Sequence, residues 1–324
     1  MAALGSGGLV VIDEIQRTPS LLNSVQAILD EDDRFRFILT GSSARKLKRG
    51  GANLLPGRII LEYLDPLSYW EMKEVFDLDR VLRVGSLPGI YLDQKSGEEV
   101  LGTYATVYLR EEIQAEAVIK NIGAYARFLD VAAEMSGQWI NYSKVASDTE
   151  IAKETIRRFF TLLEDTLLAH RIPAFRPKQS KRRVSQRDRF IFFDIGVRNA
   201  LLGIHKGKIS PTEEGHLFEQ WIVLQCLSFI RMYHKEWKIS AYRTDAGAEV
   251  DCILDLGDAY VAIECKTGKK VTESQLKGLR SFEEIAKKPV QKIIVYCGEN
   301  REKFSQGELA IPYLDFLNNF IPSC

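Results

Sequence analysis

The chain is poor in the residues that hold metals or staple a fold. Five cysteines, Cys226, Cys252, Cys265, Cys297 and Cys324, are scattered over 324 residues, and no two stand at zinc-ligand spacing. His170, His205, His216 and His234 form no metal spacing either, so surface or packing roles are expected for all four. These shortages exclude a zinc-ribbon or disulfide framework and predict reduced thiols in a cytoplasmic protein. Long hydrophobic runs are absent too. No stretch approaches the roughly 20 apolar residues of a membrane span, and Met1-Ala2-Ala3-Leu4-Gly5 lacks the charged-then-apolar layout of a secretion signal, so no membrane partner is expected. Excess charge of one sign is missing: 44 Lys and Arg balance 44 Asp and Glu, so any nucleic-acid contact has to come from local patches. A phosphate-binding loop is the last absence. Gly-Lys occurs only at Gly207-Lys208 and Gly268-Lys269, followed by Ile209 and Lys270 where a hydroxyl residue is needed.

What is present has ordinary globular composition, 45% hydrophobic and 27% charged, at a length that predicts two or three domains. An α/β architecture is expected. Residues 1–76 read as strand, helix, strand, helix, strand, helix, with pieces at 9–13, 20–29, 35–40, 43–48, 58–62 and 66–75. The continuous runs Leu9 to Ile12 and Phe37 to Leu39 predict parallel strands covered on both faces. Residues 77–140 read as helical, including a charged stretch from Tyr104 to Glu116 and an apolar stripe at 122, 125, 128, 129 and 132. In residues 141–202, Ser143 is placed to cap a short helix through Ala146, and a second helix follows from Lys153 to Leu167. Two strand-like runs, Ala169 to Phe175 and Phe190 to Phe193, then flank a basic loop, the order of a winged helix-turn-helix. After a linker at 203–211, residues 212–324 read as a second α/β domain, with strands near 238–243, 248–256, 259–266 and 291–297.

Three constellations carry chemistry. Asp13 ends an apolar strand, where a carboxylate can hold the water shell of a magnesium ion, and Glu14 can orient a water toward a γ-phosphate. Thr40 and Ser42 end the neighbouring strand and could sense that phosphate; Arg58 is either a charge-stabilising arginine or a turn residue in solvent. Strand-ending acids also serve simply as helix caps.

The second constellation is a hairpin. If Gly257-Asp258 is its two-residue turn, Asp251 lies directly opposite Glu264, and period-two alternation puts Lys266 beside Glu264 and turns Cys265 away. Opposed carboxylates repel unless a cation or proton lies between them. This predicts a divalent-metal pocket, Mg2+ by expectation, with Asp251 and Glu264 as ligands, the Cys265 carbonyl as a further one, and Lys266 polarising a water. Glu219 on the preceding helix is a candidate third carboxylate and Gln275 a weaker polar one. The alternative is a solvated sheet face on which Glu264 only pairs with Lys266.

The third is basic. Lys153, Arg157 and Arg158 share the outer face of a helix, and Lys178, Lys181, Arg182, Arg183, Arg187 and Arg189 crowd the wing loop, offset by Asp188. Such a surface suits the phosphates of duplex DNA; the alternative is a packing module docked on its neighbour.

Together these motifs resemble a family of prokaryotic AAA-type ATPases whose second half is the domain of unknown function 4143. The resemblance rests on Ile12-Asp13-Glu14-Ile15-Gln16, Leu39-Thr40-Gly41-Ser42-Ser43, Gly57-Arg58 with Leu64-Asp65-Pro66-Leu67-Ser68, Phe193-Asp194-Ile195-Gly196, Phe218-Glu219, Gly247-Ala248-Glu249-Val250-Asp251 and Ile263-Glu264-Cys265-Lys266-Thr267-Gly268. It implies a Walker B pair at Asp13 and Glu14, a sensor-like Ser42, a winged helix in the middle and a C-terminal domain similar to PD-(D/E)XK nucleases. Family members begin with a phosphate-loop segment, whereas only eight residues precede Leu9, so a partial P-loop-type sheet and an N-terminally truncated protein are expected. Residues 1–324 alone should show no ATP binding in equilibrium dialysis, and binding should appear when an upstream phosphate-loop segment is supplied. Tight ATP binding by the 324 residues would overturn this expectation.

Overall fold

In the computed structural model, which describes residues 8–32, 34–41, 59–93, 95–108, 121–177 and 184–324, the first two apolar runs do pair in parallel. Strand β1 (Gly8–Ile12) runs beside β2 (Phe35–Leu39) from Gly8·Phe35 to Ile12·Leu39, with helix α1 (Leu21–Glu31) as the crossover. Helix α1 buries Leu22 and Val25. Alternation leaves Leu9, Val11 and Ile38 on the other face at 61%, 60% and 49% exposure, so among the described residues the expected cover on both faces is found on one. The helix expected over 43–48 lies outside the described residues. Of the strand expected over 58–62, residues 59–62 form none. The helix expected over 66–75 is reduced to Tyr69–Met72, started by Ser68, whose Oγ accepts the Glu71 N–H while Glu71 accepts the Ser68 N–H.

The middle of the chain is helical up to a small sheet. Short helices Leu78–Val84, Pro88–Tyr91 and Gly97–Thr103 lead to α2 (Ile122–Glu134), α3 (Tyr142–Thr149) and α4 (Lys153–Asp165). The cap of α3 is Asn141, whose side chain accepts the Lys144 N–H at 3.2 Å, and not Ser143, which lies inside the first turn. In α2, Tyr125, Phe128, Leu129 and Ala132 are buried as their spacing predicts, while Ile122 at the first position stays 53% exposed. Strands β3 (Ala169–Ile172) and β4 (Arg189–Phe192) follow as an antiparallel pair. Phe128, Phe159, Phe160 and Phe190 pack edge-on or tilted with centroids 4.9–5.2 Å apart. Burying each such side chain stabilises by roughly 1.5–3 kcal/mol.

Helix α5 (Ile195–Leu201) explains the Phe193-Asp194-Ile195-Gly196 motif by packing alone. Asp194 caps it through the Val197 N–H and also accepts the Ser86 N–H at 2.7 Å. A Cβ on Gly196 would lie 1.9 Å from the Val84 carbonyl oxygen, so only glycine lets the two helices meet.

The C-terminal part is a mixed six-stranded sheet in the order β5-β6-β7-β8-β10-β9. Its strands are β5 (Lys238–Arg243), β6 (Glu249–Asp255), β7 (Tyr260–Lys266), β8 (Val290–Tyr296), β9 (Glu302–Lys303) and β10 (Leu309–Pro312). Strands β9 and β10 are absent from the sequence reading because each is too short for periodicity to mark; β10 is held by its parallel pairing to β8. Helix α6 (Pro211–Met232) covers one face and α7 (Lys277–Glu283) the other. The β3–β4 pair is joined to this sheet: Ala241 N–H donates to the Pro173 carbonyl, Phe175 N–H to the Ala241 carbonyl and Ser185 N–H to the Arg243 carbonyl, at 2.9, 2.7 and 2.8 Å. One buried apolar cluster accordingly runs from Tyr69 to Ile321.

Two histidines lie within this body, His205 buried and His170 half-buried. Burial, aided by Arg231, pushes His170 down to about 3, and burial with Lys206 nearby lowers His205, neither of whose ring nitrogens has a hydrogen-bond partner. A depressed histidine must charge on unfolding, so stability falls with decreasing pH below about 6.5, at up to about 1.4 kcal/mol per pH unit per histidine. Urea midpoints should drop between pH 7 and pH 5, and His170→Gln should flatten the slope. A slope unchanged in that variant would refute the assignment.

Candidate active site

The hairpin turn forms as Gly257-Asp258 dictates, with Gly257 at φ 105° and the Leu256 N–H donating to the Ala259 carbonyl. The ladder then keeps the expected register from Asp255·Tyr260 to Cys252·Ile263. Continued unbroken, it would give the Cys265 N–H to the Val250 carbonyl. A bulge intervenes. Strand β5 pairs Ser240 with Ile253 and Tyr242 with Val250, so Asp251 and Cys252 together face the single Ala241. The Asp251 carboxylate takes the Cys265 N–H on Oδ2 at 2.8 Å. The directly opposed Asp251·Glu264 pair expected from register is therefore corrected to a carboxylate inserted at the broken end of the ladder.

What fills the gap is Arg189. Its Nη1 donates to the Asp251 carbonyl at 2.8 Å, its Nε and Nη2 donate to the Gly137 carbonyl at 3.0 and 2.7 Å, and Nη2 also pairs with Glu219. Arg189 is 2% exposed, so its expected place in a solvent-facing wing loop is wrong: pairing opposite Ile172 on β3 turns it inward. Burial opposes its charge, but Glu219 and Asp251 outweigh burial and hold the guanidinium firmly protonated. Glu219 is thus occupied as the counter-ion of Arg189 rather than standing as a third metal carboxylate. Among the described residues, no three His, Cys, Asp or Glu side chains stand close enough to share one metal ion.

On β7, Ile263 and Cys265 pack in one apolar cluster while Tyr260 and Ala262 pack in the other, so Glu264 and Lys266 alternate away from Cys265 as expected. Lys266 Nζ stands 2.7 Å from Glu264 Oε1. This ion pair is the one the solvated-face alternative foresaw, yet it is not solvated: the Glu264 side chain is 13% exposed and Oε2 is buried without a hydrogen-bond partner. Burial first, and then the Asp251 charge, raise Glu264 to about 8. Burial, reinforced by Glu219, raises Asp251 in the same direction. Lys266 is disfavoured by burial but held charged by Glu264 and Asp251. Two oxygen ligands with an orphaned lone pair, beside an ammonium, suit a hard divalent cation that keeps most of its waters. Gln275 takes no part; its side chain accepts the Thr272 N–H in a local cap.

The first domain brings Asp13 and Thr40 together through the β1·β2 register, with the Thr40 hydroxyl donating to Asp13 Oδ1. The Glu14 N–H donates to Thr40 Oγ1 at 3.3 Å and its carboxylate accepts from Gln16. Ser42 and Arg58 lie outside the described residues, as do Lys178, Lys181, Arg182 and Arg183. Lys153, Arg157 and Arg158 are exposed on α4, and the Arg157 guanidinium stacks 5.0 Å from the Tyr142 ring centroid. Lys153 and Arg157, but not Arg158, line a cleft of about 290 Å³ with Arg171 and Arg187.

Comparison with known proteins divides the chain in the same order. Residues 2–73 match the AAA domain, 75–208 a domain of unknown function (DUF8612) and 214–316 a domain of unknown function (DUF4143). The chain is therefore of the kind its motifs resemble, with an AAA domain segment ahead of the domain of unknown function 4143. Uncharacterised proteins of Mycobacterium tuberculosis and Mycobacterium bovis are each 25% identical over 322 residues, covering 96% of this chain and 70% of theirs. An uncharacterised protein of Haemophilus influenzae is 22% identical over 274 residues, 78% of this chain and 64% of its own. Among the described residues no helix is long and apolar enough to cross a membrane.

Removing the buried Arg189 leaves a half-buried carboxylate and two carbonyls without their donor. Arg189→Ala should lower the unfolding free energy by about 3–5 kcal/mol, read from urea denaturation, whereas Arg158→Ala on the exposed face of α4 should stay within about 0.5 kcal/mol. Equal effects would show that Arg189 bears no special load.

Proposed function

We propose that the chain carries a metal-dependent DNA nuclease site, attached to an AAA domain segment through a winged helix-turn-helix. The observation that carries this reading is the buried, partnerless Oε2 of Glu264, close to Asp251 and on a strand end where Lys266 supplies a fixed positive charge. The arrangement resembles a PD-(D/E)XK constellation, with Asp251, Glu264 and Lys266 in the three positions. Asp251 and Glu264 would hold Mg2+, with the Cys265 carbonyl adjacent. The ion, when bound, supplies Lewis-acid polarisation of a phosphoryl oxygen and acidifies a water.

The chain's own residues set the rest. The Cys265 N–H fixes one oxygen of Asp251, leaving the other for a ligand. Burial disfavours the Lys266 ammonium while Glu264 and Asp251 favour it, so its charge would stabilise negative charge on a phosphodiester in its transition state. Arg189 and Glu219 do not touch the substrate in this reading; they are positioning residues that lock the Asp251 backbone. The α3, α4 and β3–β4 unit would present DNA. Asp13, Glu14 and Thr40 would serve a nucleotide only where a phosphate loop completes their sheet, so ATP is a cofactor conditional on that loop.

Incubation of a supercoiled plasmid with the purified chain and Mg2+ or Mn2+ should nick it. Asp251→Ala and Lys266→Ala should each slow nicking by about 100-fold or more, and chelation should stop it. Nicking that persists in both variants, or in chelator, would reject the site. Salt-sensitive duplex binding with no nicking under any metal would leave a DNA-binding module without catalysis.

A further inference from the structure

The positive charge expected on the outer face of α4 and the wing tip has a second, fixed location. Residues 184–187, where the wing re-enters the fold, run beside the β5–β6 turn: Val184 bridges Thr244 and the Ser185 N–H donates to the Arg243 carbonyl. Between them opens a groove of about 1030 Å³ whose charged lining is Arg176, Arg187, Arg243 and Asp245. Gln186 and Arg187 also line the cleft that holds Lys153 and Arg157, so the two depressions form one track. Of its two acidic members, Asp188 is paired with Arg171 and Arg176 at 3.7 and 3.3 Å, while Asp245 lies exposed at the turn. Lys153, Arg157 and Arg187 have no ion-pair partner among the described residues. Positive charge along the track therefore exceeds negative, in a chain whose net charge is zero.

The track also has a direction. At its far end Arg243 Nε stands 3.9 Å from Glu249 Oε2, and Trp139, which lines the groove, donates its Nε1–H to Glu249 Oε1 at 2.6 Å. Glu249 lies two residues before Asp251, and its charge is felt by both Glu264 and Arg189. The groove wall is a hydrogen-bonded extension of the sheet that carries the carboxylates, so the distance from Arg187 to Glu264 is set by backbone pairing and not by a tether.

From this geometry we infer that duplex DNA lies along the Lys153–Arg157–Arg187–Arg243 track, with its phosphodiester backbone led toward Glu264 and Lys266. The inference rests on the nuclease reading for its destination, but the binding itself is separable. The groove arginines contact phosphates and the exposed Arg158, outside both clefts, contributes little.

Fluorescence anisotropy of a labelled DNA duplex in chelator, where no cleavage occurs, tests it. Arg187→Glu with Arg243→Glu should weaken binding roughly tenfold or more and flatten the dependence of affinity on salt, by about one unit of slope for each lost phosphate contact. Arg158→Glu should change affinity by less than about threefold, and Arg187→Lys with Arg243→Lys should retain most of it, with circular dichroism showing that all variants are folded. Equal loss in Arg158→Glu, salt-insensitive binding, no duplex binding, or preference for an RNA duplex or heparin would overturn the inference. Track-dependent binding without cleavage keeps the track and rejects the nuclease reading. Cleavage whose duplex affinity ignores Arg187 and Arg243 does the reverse.

Discussion

The candidate site depends on a single buried guanidinium. Arg189 comes from β4 of the helical middle, crosses to the six-stranded sheet and there satisfies the Gly137 carbonyl, the Asp251 carbonyl and Glu219 at once. A buried cation of this kind is tolerable only because planar, directional donors meet a carboxylate and two carbonyls together. It holds three separate segments in register: the loop after α2, the bulge of β6 and helix α6. The middle and C-terminal regions thus share a site as well as a core.

The bulge and the arginine are two halves of one device. Inserting an extra residue opposite Ala241 frees backbone groups that a regular ladder would have used. Arg189 takes the freed Asp251 carbonyl, and the Asp251 side chain takes the Cys265 N–H. A carboxylate is thereby fixed at the end of the β6·β7 ladder with one oxygen uncommitted, near Glu264. Three carboxylates, Asp251, Glu264 and Glu219, face two cations, Arg189 and Lys266, which leaves the site one positive charge short if all are ionised. Burial is the first reason that Asp251 and Glu264 are pushed upward, with neighbouring carboxylates adding to it, while the same carboxylates hold Arg189 and Lys266 protonated.

Much of the site was legible because hairpin register is a local property. A glycine at the first turn position fixes which residues oppose each other, and the ladder from Asp255 to Cys252 follows from that alone. Helix faces such as Phe128, Phe159 and Phe160 were legible for the same reason, since spacing of 3.6 marks what must be buried. Arg189 was not. An arginine among five other cations in a loop-like stretch reads as solvent-facing, and only the pairing of β4 with β3 turns it inward. Glu219 was found for a partly wrong reason: it lies in the site, but as the partner of that unseen arginine.

The sequence by itself determined the parallel β1·β2 pair, the hairpin register from Asp255 to Cys252 and the shared face of Glu264 and Lys266, because local periodicity and turn chemistry mark each of them. The tertiary structure decided that the β6 ladder breaks at Asp251, that Phe175 and Ser185 are bonded to β5, that β10 completes the sheet beside β8, and that Arg189 is buried. Those outcomes rest on hydrogen bonds and desolvation costs that exist only once the chain has closed on itself, as where Arg189 meets the Asp251 carbonyl from 62 residues away.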